Sequence, residues 1–92
     1  MREFLLDGAA MTDRPAAHAY LAETLKFPLW YGRNLDALAD CLSEFGKRTR
    51  ITIVNTEALR QNLGSYGERL LNVFREASAE PESFSLLLDP QL

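Results

Sequence analysis

The chain has 92 residues, 47% hydrophobic and 25% charged, which is typical of one small globular domain spanning residues 1–92. Its net charge of −3 argues weakly against nonspecific nucleic-acid binding and allows a basic partner. The sequence has no apolar run long enough to span a membrane and no secretory signal, and its single Cys41 lacks an internal disulfide partner. We therefore expect a cytoplasmic protein that contacts no membrane.

The first predicted elements are a strand and a helix. Arg2–Leu6 has the pattern of a short strand that ends at the turn signal Asp7-Gly8. Thr12 and Asp13 are candidate caps for a helix that ends near Phe27-Pro28. The apolar stripe of this helix is Ala17, Tyr20, Leu21 and Leu25.

A second helix is predicted from Asn34, which can cap it, to about Phe45, with Gly46 as its stop. Gly32 is expected to let the backbone turn before it. The apolar stripe of the helix is Leu35, Leu38, Leu42 and Phe45. Asp36 and Asp40 lie four residues apart on another side, where like charges repel, so stability alone gives little reason for the second acid.

The second half of the chain predicts a strand, two helices and a last strand. Ile51–Val54 is β-branched throughout and reads as a strand buried on at least one face. Thr56 can cap a short helix through Leu63, and Ser65 and Glu68 have the spacing of a capping box for the next. The last strand contains Phe84 and Leu86–Leu88. Strands separated by helices pair through crossovers, so we predict an α/β fold with a small three-stranded parallel sheet and about four helices.

No catalytic or metal-binding arrangement is evident in the sequence. His18 is assigned to the helical face opposite the apolar stripe and is expected to be solvated. One His and one Cys make no metal cluster, the glycines have no phosphate-binding arrangement, and no cofactor is expected. A small enzyme using Asp36, Asp40 and Cys41 is the minority interpretation, because neither acid is a suitable activator of a thiol.

The acids of the second helix fit recognition better than catalysis. Residues 34–46 contain three acids and no Lys or Arg, and Trp30 and Tyr31 lie beside them in a predicted loop. An acidic face with aromatic anchors is typical of a binding patch. Composition alone favours the alternative, in which the charged face is solvated and the two aromatics belong to the core. An adjacent Trp-Tyr pair after Pro28, in a loop that should be exposed, makes the binding patch more nearly as plausible as this alternative.

Residues 28–42, Pro-x-Trp-Tyr-Gly-x-Asn-Leu-Asp-Ala-Leu-x-Asp-Cys-Leu, resemble the central motif of the barstar family, intracellular inhibitors of the ribonuclease barnase. Residues 73–77, followed by Ala79-Glu80, resemble the last helix of that family. Chain length, element order and the spacing of the two motifs agree, so the resemblance covers essentially the whole chain. It implies the same fold and an inhibitor that acts without catalysis.

The resemblance also implies roles for individual residues. Asp40 would replace an RNA phosphate in the active site of the ribonuclease, and Asp36 would meet basic residues nearby. Trp30 would occupy the place of the aromatic that stacks in the enzyme's cleft. The supporting and flanking roles fall to Tyr31 and Gly32 in the loop, Asn34 at the helix cap and rim, and Glu76 as an added negative charge.

Four positions depart from the family pattern. Ala39 stands where the family has an aromatic, Phe45 replaces a tryptophan, and Arg33 and Lys47 stand where acids are usual. Ala39 and Phe45, together with Ser43, are still counted in the predicted contact set. The changes indicate a different ribonuclease as target, such as a toxin for which this chain is the immunity protein.

The partner expected from this resemblance is a basic protein, either an extracellular-type ribonuclease or a ribonuclease toxin. We expect it to be bound 1:1 by the monomer, without direct contact to nucleic acid. An immunity or regulatory module for a target other than a ribonuclease is the alternative.

Overall fold

The computed structural model describes residues 1–90. One parallel sheet has the strand order β1 (Arg2–Asp7), β2 (Thr49–Val54) and β3 (Ser85–Asp89). Four helices connect the strands: α1 (Arg14–Leu25), α2 (Leu35–Leu42), α3 (Thr56–Leu63) and α4 (Ser65–Ser78). A 3₁₀ turn, Gly8–Ala10, follows β1. The predicted α/β fold, its element order and its parallel pairing are confirmed.

Within residues 1–90, helices cover one face of the sheet and leave the other open. Leu6, Ile53 and Leu88 are in register across the three strands, and all three are buried. The adjacent row is Leu5, Thr52 and Leu87, in which both leucines are exposed. Because successive side chains of a strand point to opposite faces, the alternation separates a core face from an open face.

Helix α1 begins as its sequence predicts and ends one turn before Pro28. The Asp13 side chain accepts a hydrogen bond of 2.8 Å from the Ala16 N–H, so Asp13 and not Thr12 is the cap. Lys26 closes the helix in the left-handed conformation. The expectation that His18 is solvated is wrong, since its side chain is only 2% exposed.

Helix α2 packs against α4 and buries Leu38 and Leu42, each worth about 1.5–3 kcal/mol of burial. Its Asn34 cap is confirmed, with a 2.7 Å hydrogen bond from the Ala37 N–H. The helix ends at Leu42 and does not reach Phe45, whose ring is nevertheless buried after a further turn. The predicted C-terminal end of α2, near Phe45, therefore lies beyond the observed end at Leu42.

The turn before α2 is made at Arg33, which has a φ of 55°, and the expectation that Gly32 makes it is wrong. Gly32 serves close approach instead, because a Cβ there would lie 3.2 Å from the Ala37 Cβ. Gly46, predicted to stop α2, lies beyond its end and forms a bridge with Ser83.

The predicted starts of α3 and α4 are also corrected. Thr56 is the first residue of α3 and its hydroxyl donates to the Pro90 carbonyl at 3.2 Å, so it does not cap the helix. No capping box forms at α4, because Glu68 pairs with Arg60 of α3. No helix within residues 1–90 is both long and apolar enough to cross a membrane.

Candidate partner-binding face

The burial of Leu38 and Leu42 turns the other side of α2 outward. Its exposed side chains are Asp36, Ala39, Asp40 and Ser43. These positions follow one another at helical spacing, so they form one continuous strip. Glu76 of α4 is exposed beside the strip and lines the same groove as Ala39 and Ser43.

The acids of this strip have no cationic partner among residues 1–90. The ion pairs there are Lys47–Glu82 at 3.1 Å, Arg50–Glu3 at 3.8 Å and Arg60–Glu68. Lys47 is thus engaged with Glu82 and does not neutralise Asp36 or Asp40. The Ser43 hydroxyl donates to the Asp40 backbone carbonyl at 2.6 Å, which leaves the Asp40 carboxylate available. The strip therefore presents Asp36 and Asp40 to solvent without an ion pair among residues 1–90.

The two adjacent aromatics of the loop before α2 differ in solvent exposure. Trp30 is 82% exposed, whereas Tyr31 is 6% exposed and packs on Phe27 with ring centroids 4.8 Å apart. The prediction that Trp30 lies outside the core is confirmed, whereas Tyr31 belongs to the core, and its role in supporting the loop stays a prediction. Leu29 beside Trp30 is fully exposed, so the loop tip is an apolar projection next to the acidic strip.

A buried histidine between two tyrosines holds this loop in place. His18 Nδ1 lies 2.7 Å from the Tyr31 hydroxyl, and His18 Nε2 lies 2.7 Å from the Tyr66 hydroxyl. A neutral ring satisfies both contacts, since its N–H donates to one hydroxyl and its other nitrogen accepts from the second. Burial lowers the pKa of His18, and the charge of Arg33 lowers it further, while burial also raises the pKa of Tyr31. The network ties the loop to α1 and α4.

Sequence reasoning missed this role of His18, although a signal was present. Residues 18, 21 and 25 lie at spacings of three and four, so His18 shares the face of Leu21 and Leu25. Tyr20, a member of the predicted stripe, is half-buried at its edge, and its hydroxyl accepts from the Asp7 N–H at 2.8 Å.

Two depressions flank the C-terminal half of the exposed strip of α2. The tryptophan cleft, about 640 Å³, lies between Trp30 and the side of α2 that carries Asp40, Cys41 and Glu44. The acidic groove, about 500 Å³, separates α2 from α4 and is lined by Ala39, Ser43, Glu44, Glu76 and Glu80 among others. The small side chain of Ala39 opens the groove where the family pattern has an aromatic.

Phe45 lines both depressions from below and does not project from the surface. Its ring is 9% exposed and lies 5.6 Å from the ring of Phe4 and 6.3 Å from that of Phe84, measured between centroids. Phe45 is therefore a core residue whose edge forms the floor of both depressions, and its contact with a partner stays a prediction.

Nothing in this face supports nucleophilic or metal chemistry. Within residues 1–90 no group of three His, Cys, Asp or Glu side chains is arranged to hold a metal ion. Burial raises the pKa of the half-buried Cys41 thiol, and the nearby carboxylates of Asp40 and Glu44 raise it further. The thiol is thus held in its protonated, poorly nucleophilic form.

The structure exposes most of the predicted contact residues on one side of the molecule and buries two of them beneath that surface. Exposed on one side of the molecule are Trp30, Asp36, Ala39, Asp40, Ser43 and Glu76. Gly32 and Asn34 shape the start of α2, and the Asn34 side chain also donates to the Gly32 carbonyl at 3.3 Å. Tyr31 and Phe45 are buried beneath them. The contact roles of all these residues stay predictions.

Comparison with known proteins identifies relatives of the whole chain. The sequence model of the family described as "Barstar (barnase inhibitor)" matches residues 1–89. A protein of Bacillus subtilis (strain 168) named "Putative ribonuclease inhibitor YrdF" is 35% identical over 91 residues, covering 97% of this chain and 100% of that protein. Both names describe inhibitors, and the expectation that the chain is not an enzyme is confirmed by them.

Proposed function

Because the chain belongs to the barstar family, we propose that it inhibits a bacterial ribonuclease by covering the active site of that enzyme with the exposed strip of α2 and with Trp30. The observation that carries the proposal is the strip itself. It presents Asp36 and Asp40 with no cationic partner among residues 1–90, beside a tryptophan that is 82% exposed. A surface of this kind suits a cationic protein cleft better than it suits solvent.

The acids act as substitutes for RNA phosphates. A ribonuclease must present cationic groups to hold the phosphate backbone of its substrate. Asp36 and Asp40 lie one helical turn apart, with about 5–6 Å between Cβ atoms at this spacing, so both carboxylates can enter one cleft. Their charge also steers the two proteins together over the range of the Debye length.

The remaining contacts surround these two acids. Trp30 supplies an aromatic anchor on a loop that the His18 network holds in place, which reduces the entropy lost on binding. Glu76 adds negative charge across the acidic groove, and the open space over Ala39 accepts a bulky side chain of the target. The Ala39, Arg33 and Lys47 changes fit a target whose surface differs from that of barnase.

The target we propose is a basic ribonuclease, of the extracellular type or a toxin, bound 1:1 in the cytoplasm. The inhibitor protects the cell that makes it by steric and electrostatic occlusion.

Affinity capture from the source cell tests this function. Immobilised protein and immobilised Asp40→Ala variant are exposed to the same lysate, and the eluted proteins are assayed for RNA cleavage. We expect ribonuclease activity in the eluate from the unmodified protein and much less from the variant. Equal capture by both, or a captured protein without ribonuclease activity, contradicts the proposal.

A further inference from the structure

Three arginines from separate parts of the chain line one depression at the N-terminal end of α2, and two of them lie against the ring of Tyr66. The Cζ of Arg14, the first residue of α1, lies 4.1 Å from the centroid of the Tyr66 ring, and that of Arg69 in α4 lies 5.3 Å from it. Arg33 borders the same depression, which we term the arginine cleft. Its volume is about 640 Å³, and its lining residues include Arg14, Arg33, Asn34, Asp36, Tyr66 and Arg69.

The cleft is built on a fixed platform. Tyr66 is buried, and its hydroxyl is held 2.7 Å from His18 Nε2, so the ring on which Arg14 and Arg69 stack has one orientation. Arg33 stands in the left-handed conformation, with φ of 55°, directly before the cap of α2. The guanidinium groups are therefore brought together by the fold and not by a local run of basic sequence.

The positive charge of the cleft is uncompensated. Within residues 1–90 none of these three arginines is at salt-bridge distance from a carboxylate, although Asp36 lines the same depression. Three cations against one acid is the opposite of the charge balance of the whole chain, which is −3. Like charges gathered without counter-charges repel, and this repulsion opposes the favourable stacking of Arg14 and Arg69 on Tyr66.

We propose that the arginine cleft receives a carboxylate side chain of the same protein that the acidic strip of α2 binds, an inference that rests on the proposed function for the identity of that protein. The planar fork of Arg matches the two oxygens of a carboxylate. Asn34 and Asp36 belong both to the cleft and to the first turn of α2, so one partner surface covers the cleft and the strip together.

A protein carboxylate fits the cleft better than a free anion does. Asp36 in the wall weakens the attraction of the three arginines for a small anion that enters alone. A protein partner instead brings a cation to Asp36 and an acid to the arginines at the same time. The target surface is thus cationic where it faces Asp36 and Asp40, and acidic where it faces Arg33.

The direction in which two substitutions change the affinity tests this inference. The proposed target is basic, so removing a positive charge from the inhibitor should strengthen binding if no acid faces the cleft. If a carboxylate does face it, Arg33→Asn and Arg69→Gln should each weaken binding by about tenfold or more, the scale of a hydrogen bond to a charged group. Asn adopts the left-handed conformation readily, so Arg33→Asn should fold normally.

The measurement is the dissociation constant of the captured ribonuclease for each variant, by surface plasmon resonance. Arg48→Gln, which removes an exposed arginine outside the cleft, is the matched control and should leave the constant almost unchanged. Unchanged or tighter binding by both cleft variants overturns the inference. Asp40→Ala, measured in parallel, separates this failure from failure of the proposed function, because only the latter predicts no effect there.

Inorganic phosphate is the second probe. Amide chemical shifts of the free protein are recorded while phosphate is raised to millimolar concentration. We expect no saturable change at Arg33 or Arg69. Saturable binding at both that is lost in Arg33→Asn would make the cleft a small-anion site and overturn the inference.

Discussion

Asp40→Ala should leave the stability of the free protein unchanged or raise it, and should weaken binding to the target. Asp40 is exposed in the last turn of α2, makes no ion pair within residues 1–90, and has Asp36 one turn before it. Alanine removes a repulsion of ~0.2–0.5 kcal/mol and an unfavourable charge at the negative end of the helix, and it is the better helix former. The free energy of unfolding should therefore stay the same or rise, by up to about 1 kcal/mol.

In the complex the same substitution should be costly. Loss of the carboxylate leaves the cationic groups of the target buried without a partner, which costs about 2–5 kcal/mol, a range borrowed from charge pairs that include those of the barnase–barstar complex. The dissociation constant should rise about 30- to 5,000-fold, mainly through faster dissociation.

Two measurements on each variant check this, a urea melt and the dissociation rate from the captured enzyme. Glu23→Ala is the matched control, since Glu23 is also an exposed acid in the last turn of a helix but lies on α1, outside the clefts around α2. It should have little effect on dissociation. If Asp40→Ala unfolds at lower urea and dissociates no faster, the carboxylate has a structural role and the reasoning is refuted.

Three further outcomes follow from charge, exposure and burial. Stopped-flow association with the target should slow as salt rises, because the Debye length shrinks from ~10 Å at 0.1 M to ~3 Å at 1 M, and a salt-independent rate would contradict electrostatic steering. The single Trp30 should be quenched by acrylamide in the free protein and shielded in the complex, whereas equal quenching in both states would exclude it from the contact. The pKa of His18 lies below its ordinary value of 6.5 in the folded protein, so the unfolded chain binds more protons between the folded-state pKa and about pH 6.5. The free energy of unfolding should thus have its full value above about pH 6.5 and decrease as the pH falls from there to the folded-state pKa. A His18→Gln variant whose free energy of unfolding depends equally steeply on pH would contradict this.

The features that were predictable from sequence depend on short-range signals. Asn34 caps α2 because its side chain reaches the free N–H groups three residues on, a purely local interaction. The parallel sheet follows from strands separated by helices, which leave crossovers as the only connection. Trp30 could be placed outside the core because it belongs to no apolar stripe.

The features that were not predicted depend on tertiary contacts, or on a residue that has more than one possible partner nearby in the sequence. Ser65 and Glu68 have capping-box spacing, but Glu68 finds Arg60 across the α3–α4 turn instead. Phe45 continues the apolar spacing of α2, yet it is buried by packing on Phe4 and Phe84 and not by a longer helix.

The arginine cleft had no sequence signal at all. Its three cations are at positions 14, 33 and 69, and only the packing of α1, α2 and α4 brings them together. Local pattern therefore located the acidic strip of α2, while the charge arrangement at its N-terminal end required the fold.

Occlusion of the active site is tested most directly by inhibition kinetics with the captured ribonuclease. Initial rates of cleavage of a fluorogenic RNA are measured at several inhibitor concentrations, each over a wide range of substrate. If the strip of α2 occupies the site where RNA phosphates bind, the inhibitor should raise KM and leave kcat unchanged. Inhibition that lowers kcat and leaves KM unchanged would show that RNA and inhibitor bind at the same time, and would contradict occlusion.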